Sequence, residues 1–436
     1  MSRPRQASAL HLVEIIALVV SITAVIAYLN DRYLGLPTAL GTFVGALAFA
    51  LILVFLDAIG LVSDDWASQM LFTIKWGDLL LHGLLGFLLF AAAIQLDGSL
   101  FARNRWSITY MATIGVVLSA LLTTIMIVAV LGYLHSYYPK IGLSWWPAFV
   151  FAAMIVPTDP VLVGGLLRKL KITPAVKGVI FGESLFNDAV AIVLFIFAVG
   201  MTKRPDDMHF STATLYILQI GGGGVILGIL LGSIATYMLN TSRSDSVHQM
   251  ITIGVVVGGY SLAEFIGVSA PLALVLAGII IAKYRGYAQA KQEHPVLSFW
   301  RAIEATINAI LFALIGLELV TFDWEWGWQQ GVILSSLIIF PLIIIARYIS
   351  LLIPWVFSRV KKKVRHSSIV LMTWCGMRGG VSFALALSID HDVPYREPFI
   401  FATFIIVVLS IMIQGFTVPM LARWDASKYE DTSHEE

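Results

Sequence analysis

Thirteen apolar runs divide this chain of 436 residues, near 10–29, 37–57, 77–96, 108–134, 146–168, 175–200, 213–240, 248–266, 270–284, 299–320, 330–357, 367–389 and 397–421. Most are long enough to cross a bilayer, and hydrocarbon offers no partner for a backbone N–H or C=O. Each crossing must therefore satisfy its own hydrogen bonds as a helix, or close into a barrel. Ten-residue segments of alternating polarity are missing, which excludes the barrel. Only 13% of residues are charged, against about 25% in soluble domains. The chain is expected to be an all-α polytopic membrane protein with about 13 transmembrane helices. The first run follows Arg3 and Arg5 like a secretory signal, but it is long for one and Asn30-Asp31-Arg32 follows it, so a retained span is expected. The single cysteine, Cys375, excludes an internal disulfide and argues against thiolate metal sites. No basic stripe suggests nucleic acid, and no cofactor is expected.

Basic residues orient the spans. With thirteen crossings, about 19 of the 28 Lys and Arg fall on the C-terminal side and about 7 on the other. A miscounted central helix would scramble that bias. The N-terminus is expected outside, and the C-terminus in the cytoplasm with a short acidic tail over 424–436, disordered. The fifth and twelfth spans are both interrupted. Pro157-Thr158-Asp159-Pro160 removes two backbone donors from one, and Gly376-Met377-Arg378-Gly379-Gly380 weakens helix in the other. Broken helices at matching positions of two halves point to a binding site where inverted repeats meet. Repeats near 10–200 and 248–421, joined by a linker helix near 213–240, put both breaks in register. The whole chain, 1–436, is then one membrane domain.

The sixth span carries Gly182-Glu183-Ser184-Leu185-Phe186-Asn187-Asp188. At 100° per residue, Glu183, Ser184, Asn187 and Asp188 share one helix face within about two turns. A carboxylate at mid-membrane costs about 2.5–3.5 kcal/mol, so unpaired Asp159, Glu183, Asp188, Arg347 and Arg378 would together cost about 12–17 kcal/mol. Some must pair. Glu183 is assigned to Arg347, which leaves Asp188 as the carboxylate free to titrate. Arg378 and Asp159 carry opposite charges that suit the exposed half-helix ends, and Thr158 adds a hydroxyl and a free carbonyl. Burial favours the neutral carboxyl and a bound cation favours the carboxylate. Proton and a hard monovalent cation would then exclude one another at Asp188, with oxygens of Ser184 and Thr158 beside it.

These motifs resemble the NhaP-type sodium/proton antiporters of the cation:proton antiporter one family. The resemblance covers about residues 10–421. It implies an NhaA-like antiporter fold: two inverted repeats with interrupted crossing helices, forming a homodimer in which a six-helix core moves against a dimerisation domain. In that family the positions of Asp188, Glu183, Ser184 and Thr158 surround the cation, that of Asn187 reaches toward the crossing helices, and that of Arg347 pairs with that of Glu183. Asn at the place of Asn187 implies electroneutral exchange of one cation for one proton. The implied activity is Na+ (or Li+) against H+ in the cytoplasmic inner membrane, in the service of pH homeostasis.

Other readings differ in chemistry. A K+/H+ antiporter would use the same carboxylate, since neutral oxygens do not fix ion size. An ion-coupled organic-anion symporter would need a roomier, more polar crossing. An intramembrane enzyme lacks its motifs here: the chain holds no His-Glu-x-x-His, no Gly-x-Ser-x-Gly and no paired cysteine. Among lesser polar features, Asp78 and His82 stand one turn apart and suit an interfacial patch more than a metal pair or pH sensor, Glu264 and Glu304 suit local helix-end pairing or the lining of an entrance near Arg378, and Gly221–Gly224 suits close helix packing more than a hinge.

Overall fold

The computed structural model describes residues 4–61, 79–96, 106–134, 144–159, 162–164, 174–203, 210–285, 294–357, 365–390, 393 and 395–433, and helix is the only regular structure among them. The principal helices are α1 (Pro4–Leu29), α2 (Thr38–Ala58), α3 (Leu85–Ile94), α4 (Val116–Leu134), α5 (Trp145–Ile155), α6 (Pro174–Lys203), α7 (Gly223–Thr241), α8 (Asp245–Ile266), α9 (Ala270–Arg285), α10 (Pro295–Leu317), α11 (Val332–Phe357), α12 (His366–Trp374), α13 (Gly380–Leu387), α14 (Arg396–Leu409) and α15 (Gly415–Ser433). Among the described residues, nine helical segments are long and apolar enough to cross a membrane. Three shorter apolar helices join them: Leu85–Ile94, Trp145–Ile155 and Ala270–Tyr284. The remaining expected span is shared by α12 and α13, and α14 runs into α15 through a π-helical stretch, Ser410–Gln414. The protein is a multi-pass membrane protein.

Burial ranks the helices by position. In their apolar 18-residue stretches, two thirds of the residues of Gly178–Thr202, Pro295–Thr321 and Arg396–Ser427 are buried, against only 22% in Ile16–Leu34 and 28% in Thr214–Thr241. Lipid is as apolar as leucine, so hydropathy alone cannot make this distinction. The centre is assembled by α6 against α5, α4 against α11, and α14 against both α11 and α13. On the periphery α7 packs on α9, where Gly224 and Gly228 bring the two backbones together as the glycine run predicts.

Two local features refine the reading of the sequence. The stretch from Val268 to Pro271 is a turn between separate helices and not a break within one. Gly267 takes φ +73° and closes α8: its N–H donates to the Glu264 carbonyl at 3.1 Å, and the Val268 N–H donates to that of Ala263 at 2.9 Å. That pairing is the Schellman motif, which needs a left-handed residue at this position. The acidic tail, by contrast, corrects an expectation. Helix α15 continues past Arg423 to Ser433, and Asp425 is buried, with the Ser368 hydroxyl donating to its carboxylate at 3.1 Å. Charge-rich composition argues against starting a helix there. Extending one already formed adds a bond per residue without a new nucleation cost.

Candidate functional site

The two broken spans cross at the centre of the molecule. Helix α5 ends at Ile155, and residues 156–159 are not helical, since Pro157 has no N–H to give. Helix α12 ends at Trp374, and residues 376–379 are not helical before α13 begins at Gly380. The breaks are joined backbone to backbone, with the Asp159 N–H donating to the Met377 carbonyl at 2.9 Å. That approach needs glycine. A Cβ on Gly379 would stand 2.5 Å from Asp159 Oδ2 and 2.8 Å from its Cβ.

Side chains of opposite charge meet the opened helix ends. Arg378 Nη1 donates to the Val156 carbonyl at 2.9 Å, placing a cation at the negative end of α5. Asp159 Oδ1 accepts from the Leu162 N–H at 3.3 Å, as an N-cap carboxylate does at the positive end of the helical residues 162–164. The charge on each break thus serves the fifth span, one from within it and one from across the crossing. Gly379→Ala is expected to force the two segments apart and to lower stability by about 1–3 kcal/mol, the usual cost of overpacking. A thermal melt in detergent reads this directly, and an unchanged melting temperature would show that the crossing is not tight.

Helix α6 passes beside the crossing and presents its polar face to it. Asp188 Oδ1 accepts the Thr158 N–H at 3.0 Å. Ser184 Oγ donates to the Thr158 carbonyl at 2.6 Å and lies 3.0 Å from Thr158 Oγ1. Asn187 Nδ2 donates to Thr158 Oγ1 at 2.8 Å and to the Val156 carbonyl at 3.3 Å. Because Ser184 commits its proton to the carbonyl, Thr158 must donate to Ser184 while accepting from Asn187. The direction of each bond in the chain is therefore fixed. Thr158, Asn187 and Asp188 are no more than 2% exposed. Among the described residues Asn187 Oδ1 is buried without a hydrogen-bond partner, a state that costs about 1–3 kcal/mol.

Glu183 lies on the same helix and turns to a different neighbour. Arg347 Nη2, from α11, donates to Glu183 Oε2 at 2.9 Å, and both side chains are buried. Gly376 lies flat against this guanidinium, leaving no room for a Cβ. The break in the twelfth span therefore also covers the ion pair. Charge is divided over the site: Arg347 meets Glu183, Arg378 meets backbone carbonyls, and Asp188 is held by one backbone N–H and by the dipoles around it.

The structure brings Thr158, Glu183, Ser184, Asn187, Asp188 and Arg347 to one buried cluster, with Asp159 and Arg378 at the adjoining crossing. It adds residues that the sequence did not single out. The Arg378 N–H donates to Ser410 Oγ at 2.8 Å, Ser410 in turn donates to Gln414, and Gln414 Nε2 donates to the Trp374 carbonyl at 3.2 Å. A polar pair four residues apart within the apolar run 397–421 was the available signal. Ser382 also reaches the Pro157 carbonyl, at 3.4 Å. Of the lesser residues, Glu304 accepts from Gln95 Nε2, and Glu264 is exposed on α8. Asp78 lies outside the described residues.

Comparison with known proteins returns one answer. The family described as sodium/hydrogen exchanger, transmembrane, matches residues 19–424. The Na(+)/H(+) antiporter NhaP of Pseudomonas aeruginosa is 32% identical over 428 residues, covering 94% of this chain and 96% of its own. The low-affinity Na(+)/H(+) antiporter NhaS1 of Synechocystis is 27% identical over 344 residues, 77% of this chain and 62% of that protein. In structure, the sodium proton antiporter MjNhaP1 from Methanocaldococcus jannaschii at pH 8 superposes with a TM-score of 0.74 at 19% identity, over 94% of this chain and 98% of that one.

Proposed function

Because the chain belongs to the sodium/hydrogen exchanger family, we propose that it is a secondary antiporter exchanging Na+ for H+, with Asp188 as the group that holds either ion in turn. One observation carries this reading. Asp188 is a fully buried carboxylate whose hydrogen bond comes from the unwound backbone of the crossing, at Thr158. A cation arriving there meets a carboxylate and the hydroxyl and carbonyl oxygens of Thr158 and Ser184, hard donors of the kind that suit a small hard cation. A proton arriving there neutralises the carboxylate and removes the attraction. Glu183 and Arg347 hold α6 against α11, and Asn187 ties α6 to the opened end of α5. Asp159 and Arg378 hold the charge balance of the break while it moves.

Alternating access follows from this division. The site is fixed at the crossing, and the repeats near 10–200 and 248–421 supply a moving core and a frame. The poorly buried outer helices leave apolar faces suited to a second copy in a homodimer. We place the protein in the cytoplasmic membrane with its N-terminus outside and its C-terminus in the cytoplasm, as the basic loops favour. Exchange of one Na+ for one H+ follows from a single titrating carboxylate, with Asn187 un-ionisable beside it.

Everted vesicles loaded with acid and a pH-sensitive dye test this. Addition of Na+ is expected to dissipate the gradient. Clamping the voltage with valinomycin and potassium is expected to leave the rate unchanged, and a rate that rises under the clamp would contradict electroneutral exchange.

A further inference from the structure

Away from the crossing, three side chains with metal-binding chemistry meet where α8 and α10 begin. Asp245 and His248 stand three residues apart on the first turn of α8 and so share a face. His294 caps the start of α10. One ligand atom from each lies within 4.8 Å of the other two. We propose that Asp245, His248 and His294 form a binding site for a divalent transition metal ion of the zinc type.

The state of His248 carries this furthest. Its side chain is buried, and Nε2 lies 3.1 Å from the Ser242 carbonyl. A carbonyl can only accept, so Nε2 bears a proton, and in the neutral ring Nδ1 then carries the lone pair. Among the described residues Nδ1 is buried without a hydrogen-bond partner, and it faces Asp245 Oδ1 at 3.9 Å, too far for a hydrogen bond. A ring whose far nitrogen donates to a backbone carbonyl while the near one is bare is the arrangement of metal-ligating histidines, in which the outer bond fixes the tautomer. The His294 ring lies nearly parallel to that of His248, 6.3 Å away centroid to centroid.

The frame is rigid where it must be and loose where it can be. About two turns into α8, Thr252 Oγ1 accepts from the indole of the fully buried Trp300 in α10 at 3.0 Å, which sets the spacing of the two helix starts. Asp245, by contrast, is 60% exposed and free to swing. Ligand atoms around a tetrahedral zinc stand about 3.3 Å apart, so the trio, now within 4.8 Å, closes as Asp245 swings in and the His294 ring turns out of its near-parallel stack on His248 to aim a nitrogen at the metal. Two imidazoles and one carboxylate suit zinc, with the fourth position left to water. Coordination has one local consequence. His294 Nδ1 accepts from the Val296 N–H at 3.3 Å, and a metal on either ring nitrogen ends that contact.

The test uses the full chain in detergent with no affinity tag, stripped with a chelator and titrated with zinc chloride by calorimetry. Wild type and a distant histidine variant, His366→Gln, are expected to bind one zinc ion each, with a matching rise in melting temperature. His248→Asn and His294→Ser are expected to weaken binding by about a hundredfold, and Asp245→Asn by about tenfold. Serine keeps the helix cap at 294, so this variant carries the test if His248→Asn fails to fold. Absence of zinc binding by wild type, or binding unchanged in both histidine variants, overturns the proposal. Because these residues lie outside the crossing, either result leaves the Na+/H+ reading standing or falling on its own assay.

Discussion

Vesicles carrying Asp188→Asn are expected to show no Na+-driven proton movement at all, although the protein inserts and folds. The amide oxygen still accepts the Thr158 N–H, which now sits 3.0 Å from the carboxylate, so the crossing stays closed. Volume is conserved, and the burden of a buried ionisable group is removed. The stability change should therefore be no more than about 1 kcal/mol, within the range of conservative substitutions. What is lost is the charge that draws a cation and the site that takes a proton. The two measurements separate the roles: a dye assay that goes silent with an unchanged melting curve assigns Asp188 to transport. Retained exchange would remove it from the mechanism.

Arg347→Ala is expected to fail in the opposite way. The Arg347–Glu183 pair is buried on both sides at 2.9 Å, and removing one partner leaves the other carboxylate unpaired in a low-dielectric interior. Breaking such a pair costs about 3–5 kcal/mol, a large part of a typical total stability of about 5–15 kcal/mol. Yield and melting temperature should drop sharply, while the ion preference of the protein that survives is unchanged. The double variant Arg347→Ala with Glu183→Gln should recover much of the loss, because no charge is then left alone. A double variant no more stable than the single one would show that the guanidinium matters for packing against Gly376 and not for its charge.

Much of this molecule is legible in its sequence because a membrane simplifies the physics. With no water to satisfy the backbone, apolar length becomes helix, and every charge inside a span needs a reason. That argument reaches the spans, both breaks, and the pairing of Glu183 with Arg347, since so few cations were available to choose from. It stops where partners lie far apart in sequence and are chemically ordinary. Arg378 bonds to carbonyls and not to a carboxylate, and charge counting is blind to such acceptors. Ser410 and Gln414 hold the Arg378 backbone through neutral hydrogen bonds that carry no charge signature. The close contacts of Gly376 with Arg347 and of Gly379 with Asp159 appear only once the two breaks are seen to cross. The same limit hid the cluster of Asp245, His248 and His294, whose members sit at the starts of two helices. The tail after Arg423 misled for a different reason, because composition describes a free segment and not one attached to a formed helix.

The central claim is that Na+ and H+ compete for one buried carboxylate. Calorimetric titration of the purified protein with NaCl, repeated in buffers of different ionisation enthalpy, counts the protons released as sodium binds. At a pH low enough for the site to be protonated, about one proton should leave per cation bound, as linkage between a cation and a shared ligand requires, and Asp188→Asn should release none. Sodium that binds to the wild-type protein without releasing a proton would contradict the account.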